Sequence, residues 1–177
     1  MHPASARAFD DACPPDPDEE RRAAVQAALR ILGGAAQSEA SLRRRLEHRG
    51  FSAAASRDAA ETAARLGYVD DAALADSIVT RRRSRRGTAR IAAELRSRGV
   101  GEEAVRAALS GISPDDQRAA ALAEARRRLP TRLPDDPTER RRTLTRVAAA
   151  LSRAGFPADA VSHALRHAAS EDGEDAA

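Results

Sequence analysis

Three ten-residue strings constrain this chain more than anything else in it: LRRRLEHRGF at 42–51, IAAELRSRGV at 91–100 and VAAALSRAGF at 147–156. In each, an apolar residue (Leu42, Ile91, Val147) is followed four later by Leu (Leu46, Leu95, Leu151) and four later again by Gly (Gly50, Gly99, Gly155). Phe51, Val100 or Phe156 comes next. Apolar residues four apart make a one-sided helical stripe. A glycine one turn on takes the left-handed conformation that stops a helix, and the apolar residue after it folds back on the stripe. Three such units predict a tandem array.

Periodicity and punctuation around the strings predict nine helices. The first runs over Glu20–Leu32, stopped by Gly33-Gly34. Ser38 caps the second, which ends at Gly50; a third covers Ser52–Leu66. Asp70 caps a fourth to Arg85, Thr88 a fifth to Gly99, and a sixth covers Glu102–Leu109. Ser113-Pro114-Asp115-Asp116 opens a seventh to Leu129, Asp136-Pro137-Thr138-Glu139 an eighth to Gly155, and Pro157 a ninth that fades near His167. Val105 and Leu109 on the sixth helix are echoed by Val161 and Leu165 on the ninth. The matching sites in the first unit are Ser56 and Ala60, which predicts weaker packing there.

The fold class is therefore all-α, as three tandem three-helix modules at 20–69, 70–112 and 113–169. Residues 1–19 are expected to form a disordered acidic arm and 170–177 a disordered acidic tail. Aromatic residues are limited to Tyr68, Phe9, Phe51 and Phe156. The core must come from Ala, Leu, Val and Ile, which favours helices over sheets.

All 30 basic residues are Arg, and their distribution matters more than the overall net charge of +3. Residues 21–170 carry 29 Arg against 17 acids, a net of +12, between acidic ends. A basic body predicts a polyanionic or acidic partner. The densest segment is Arg81–Val100, where Arg81, Arg82, Arg85 and Arg86 close one helix and Arg90, Glu94 and Arg98 sit at fourth positions on the next. Arg43, Arg44, Arg45 and Arg49 form a second cluster. A third comprises Arg126, Arg127, Arg128, Arg132, Arg140, Arg141, Arg142 and Arg146. Each triplet wraps its helix, so about half of these side chains are expected to be merely solvated.

Catalytic readings find little support. His163 and His167 lie four apart, the spacing of two metal ligands on a helix, but no third ligand is near. Asp70-Asp71, Asp115-Asp116 and Asp135-Asp136 all sit at helix starts, where capping explains them. No Gly-rich phosphate loop or nucleophile elbow is present. Neither an enzymatic activity, a cofactor nor a metal is expected. Cys13 is alone, so no intrachain disulfide framework or multi-Cys site can form, which fits a reducing cytoplasm. No stretch approaches a membrane span, so no membrane partner is expected.

Gly50-Phe51, then LGYVDD at 66–71, Ala75, and Arg85-Arg86-Gly87 leading through Ala89-Arg90-Ile91 and Glu94-Leu95 to Arg98-Gly99-Val100, resemble the RecX family of recombinase regulators. The likeness extends from about Val25 to Leu165. It implies an elongated, curved array of modules, a cytoplasmic location, and a monomer that inhibits the RecA recombinase by binding its nucleoprotein filament, with weaker, salt-dependent affinity for single- or double-stranded DNA. It places Arg82, Arg86, Arg90, Glu94 and Arg98 on or near the contact surface, to which the charge pattern adds Arg81, Arg85, Arg43 and Arg44. A helical module that acts on DNA directly through its Arg-rich face is the alternative.

Overall fold

The structure, a computed structural model, describes residues 16–174. Among these it contains nine α-helices and no strand: α1 (Pro17–Gly34), α2 (Glu39–Glu47), α3 (Ala53–Arg65), α4 (Asp71–Arg82), α5 (Thr88–Ser97), α6 (Glu102–Ser110), α7 (Pro114–Arg128), α8 (Pro137–Arg153) and α9 (Ala158–Glu174). The fold is all-α, with three three-helix modules in tandem.

The repeated stripe is the centre of each module. Leu42, Leu46, Ile91, Leu95 and Leu151 are fully buried and Val147 nearly so. Gly50, Gly99 and Gly155 have φ of 94°, 82° and 85°, the left-handed region that a Cβ disfavours. The next residue returns to the stripe: the N–H groups of Phe51, Val100 and Phe156 donate to the carbonyls of Leu46, Leu95 and Leu151 at 3.3, 3.1 and 3.3 Å. This 6→1 bond, with the glycine N–H bonded three residues back, is the Schellman stop.

Five helix starts are capped as their sequences require. Ser38, Ser52, Asp70 and Asp136 each accept from a backbone N–H in the first turn, and Ser113 and Asp116 form a reciprocal capping box. α1 begins at Pro17, earlier than the expected Glu20, because Asp16 accepts from the Asp18 N–H and Pro17 occupies N1. The last residues of the expected arm are thus helical; residues 1–15 lie outside the described residues. α9 likewise continues past His167 to Glu174, since Ala168 and Ala169 favour helix and no proline or cap interrupts it. The first part of the expected tail is therefore helical, and residues 175–177 lie outside the described residues.

α3 departs from expectation differently. In place of a Val/Leu pair it buries Ala55, Ala59, Ala60 and Ala63 at 4% exposure or less, together with Ser56 at 0%. Small side chains let this helix settle closely against α1 and α2, so poor apolar volume does not leave the site exposed. The Ser56 hydroxyl has no hydrogen-bond partner there.

Adjacent modules dock through one repeated contact. In the first two modules the N-cap of the middle helix lies four residues before its first stripe residue, at Ser38 for α2 and Gly87 for α5. Ser38 Oγ donates to the carbonyl of Arg98, the residue before Gly99. Gly87 N–H donates at 3.0 Å to the carbonyl of Ala154, the residue before Gly155. The glycine stop of one module thus sits on the middle-helix start of the module before it. α8 begins ten residues before Val147, whereas α5 begins three before Ile91. The equivalent position, Thr143, is therefore inside α8, and the start that would receive a further module is absent.

Candidate interaction surface

The α4–α5 connection decides where the arginines of the central module point. Thr88, expected as the α5 cap, is instead the first helical residue; the cap is Gly87, which has no side chain to offer. The missing acceptor comes from the third module, where the buried Gln117 takes the Thr88 N–H on its Oε1 at 3.0 Å. A side chain at Gly87 is excluded sterically: a Cβ there would lie 1.9 Å from the carbonyl oxygen of Gly155. Arg127 adds a bond from its guanidinium to the Ser84 carbonyl at 3.2 Å. The turn before α5 is held rigidly against α7 and the α8–α9 turn.

On this frame Arg82, Arg86, Arg90, Ala93, Glu94 and Ser97 line an open cleft of about 400 Å³. Positions 90, 93, 94 and 97 follow the i, i+3, i+4, i+7 rule of one helix face. Glu94 organises the cleft. Its carboxylate lies 3.2 Å from Arg82 Nε and 3.3 Å from Arg98 Nη2 and is itself only 24% exposed. Exposed pairs of this kind contribute roughly 0–1 kcal/mol of stability, so their effect here is orientation. Arg86 and Arg90 face the same cleft and, among the described residues, pair with no carboxylate.

Five of the expected central residues, Arg82, Arg86, Arg90, Glu94 and Arg98, are thus brought together. Arg81 and Arg85 are not part of the cleft lining, and Arg81 Nε is bonded back to the Ser77 carbonyl at 3.2 Å. In the first module Arg43 pairs with Glu47 at 3.8 Å, whereas Arg44 opens onto a separate groove between α1 and α2. The structural residues Gly50, Phe51, Gly99, Val100, Gly155 and Phe156 occupy the helix stops described above.

Two members of the third Arg cluster, Arg127 and Arg128, are engaged internally. Glu124, only 7% exposed, accepts from Arg127 and Arg128 at 2.8 Å or closer through their Nη2 atoms. Burial alone would raise its carboxyl pKa, but the two guanidinium hydrogen bonds outweigh it and hold it below the usual range. Sequence spacing carried a signal for this, since Glu124 precedes Arg127 and Arg128 by three and four residues. Gln117 had no comparable signal.

His163 borders a groove of about 580 Å³ lined by Asp115, Arg118, Asp159 and Arg166 among others. The rings of His163 and His167 are 4.2 Å apart, tilted by 36°. Burial, then the neighbouring His167, Arg118 and Arg166 charges, lower the His163 pKa, partly countered by Asp115. Among the described residues no group of three or more His, Cys, Asp or Glu is arranged to hold a metal, and no helix is long and apolar enough to cross a membrane.

Residues 70–109, which contain the cleft, match the family model for the second three-helix domain of RecX. The chain is 39% identical over 132 residues to regulatory protein RecX of Thermobifida fusca, covering 73% of this chain and 70% of that protein. It is 35% identical over 163 residues to regulatory protein RecX of Corynebacterium efficiens, covering 89% and 77%. The fold superposes on the crystal structure of RecX from Lactobacillus salivarius with a TM-score of 0.70 at 14% identity, covering 85% of this chain and 97% of that one. Sequence identity at this level over most of both chains, joined to a shared fold, confirms the resemblance carried by Gly50-Phe51, LGYVDD and the Arg85–Val100 segment: the chain belongs to the RecX family of regulatory proteins.

Proposed function

We propose that this chain is a non-enzymatic, cytoplasmic, monomeric negative regulator that binds the RecA nucleoprotein filament and inhibits its ATPase and strand exchange, and so modulates recombination and DNA repair. Family membership supports the regulatory role. The observation that carries the contact assignment is the arrangement around Glu94. It fixes Arg82 and Arg98 while Arg86 and Arg90 stand in the same cleft without a carboxylate of their own. Planar guanidiniums presented this way suit bidentate recognition of carboxylates on a filament surface. The modules 20–69, 70–112 and 113–169 would act as one binding strip, with the central module as its anchor.

The test is RecA, single-stranded DNA and ATP with the purified chain at substoichiometric ratio. ATP turnover falls with wild type, and the double variant Arg86→Ala/Arg90→Ala needs on the order of tenfold more protein for the same effect, the size expected for losing charge-assisted contacts. No inhibition by wild type across a wide ratio range refutes the function. Full inhibition by the double variant refutes the assigned surface.

A further inference from the structure

The glycine stop serves as a docking element twice within this chain, and its third copy is left uncovered. Gly99 sits on the start of α2, where a Cβ on it would lie 3.0 Å from Ser38 Oγ and 3.2 Å from the Ala40 Cβ. Gly155 sits on the start of α5, where a Cβ would lie 2.4 Å from the Arg90 nitrogen and 2.5 Å from its Cβ. In both turns the carbonyl before the glycine accepts from the helix start, Arg98 from Ser38 Oγ and Ala154 from the Gly87 N–H. Gly50 has the same left-handed backbone and the same bond from the Phe51 N–H to the Leu46 carbonyl, yet a Cβ there would have nothing within 4 Å. Among the described residues no donor reaches the Arg49 carbonyl. The next residue reports the same difference: Val100 and Phe156 are 4% and 5% exposed, whereas Phe51 is only partly covered.

A module before the first would cover this turn. A second copy of the chain offers no place for it: the starts of α2 and α5 are engaged, and the equivalent position in α8, Thr143, lies inside a continuous helix. The array is closed at its α8 end and open at its Gly50 end. The two filled stops define what the open one fits. Each receives a helix start with a small cap, Ser38 or Gly87, that brings one hydroxyl or N–H donor to the carbonyl before the glycine. Without a side chain the turn lets the two backbones meet closely, and the uncovered part of Phe51 adds apolar area of the kind that anchors protein interfaces. We infer that the Gly50-Phe51 turn is a protein-docking end, and that its occupant is a helix start on a RecA subunit, engaged as Ser38 and Gly87 engage the stops of the second and third modules. The inference rests on the RecA reading above. It adds to the cationic Glu94 cleft of the second module a separate contact on the first, made through backbone and an aromatic ring.

The test uses the full chain, RecA filaments on single-stranded DNA with ATP, and two variants. Gly50→Asn adds a side chain that a left-handed backbone tolerates and a docked helix start does not. Gly67→Asn is the control: its φ is 77°, a Cβ there would also have nothing within 4 Å, and its turn has no docked counterpart. Similar urea midpoints for the two variants establish that both are folded. Gly50→Asn needs on the order of tenfold more protein for half-maximal inhibition of ATP turnover, the loss expected for one blocked anchoring contact, while Gly67→Asn inhibits as wild type does. In the wild type, amide exchange at residues 49–52 slows when filament is added. Equal inhibition by the two variants, or unchanged exchange at the turn, overturns the inference and leaves the RecA reading standing. No inhibition by wild type overturns both. A concentration-dependent dimer that Gly50→Asn abolishes reassigns the turn to self-association, and an equal loss of affinity for naked single-stranded DNA reassigns it to nucleic acid; either result overturns the inference.

Discussion

Replacing Gly87 with Ala places one methyl group against a backbone that cannot move aside. The added Cβ would sit 1.9 Å from the Gly155 carbonyl oxygen, 2.1 Å from its carbonyl carbon and 2.2 Å from the Phe156 nitrogen. Gly87 has φ of −74°, so the cost is not conformational; it arises from forcing the second and third modules apart. Overpacking by a methyl costs about 1–3 kcal/mol. Separation also strains the Gly87–Ala154 and Thr88–Gln117 hydrogen bonds, each worth about 1 kcal/mol net. The expected total is about 3–5 kcal/mol. Gly101→Ala is the matched control: Gly101 is also an N-cap without a side-chain bond, its φ is −66°, and a methyl group there would have nothing within 4 Å. Its cost should stay below about 1 kcal/mol. Urea unfolding followed by circular dichroism measures both, and limited proteolysis near residues 111–113 reports loosening between the modules. Equal effects from the two substitutions would refute the assignment of Gly87 to intermodule contact.

Ser38→Ala removes both the α2 cap and the hydroxyl bond to the Arg98 carbonyl; it should destabilise by about 1–3 kcal/mol and expose the α5–α6 turn to faster amide exchange. Ser56→Ala should stabilise by about 1 kcal/mol in urea melts, since it removes a buried hydroxyl with no partner and raises helix propensity. His163 has its pKa lowered from 6.5 in the folded state, so the unfolded chain takes up the proton first as pH falls. Its contribution is complete above about pH 6.5 and declines below it; His163→Gln should flatten that part of the stability profile in thermal melts across pH 5–8.

The helices were legible because their signals are local. A cap reaches its own first turn, a glycine stop acts on its own helix, and the Leu42/Leu46 stripe is set by the pitch of one helix. The RecX likeness was legible for the same reason, as its residues are those stops, caps and stripes. The division of labour among 30 arginines was not. Arg43, Arg44 and Arg45 are adjacent in sequence, yet one pairs with Glu47 and the next two enter a groove. The angle of about 100° between successive helical residues separates them, but which face meets a cleft depends on where α1 lies.

The sequence by itself determined the nine helices, the glycine stops and the threefold repeat, all governed by interactions spanning about five residues or fewer. Tertiary structure alone decided how the repeats join, because Ser38 meets Arg98 across 60 positions and Gln117 meets Thr88 across 29. Nothing near Gly87 in the chain says that it must lack a side chain. That requirement belongs to Gly155, which reaches it only when the third module docks on the second.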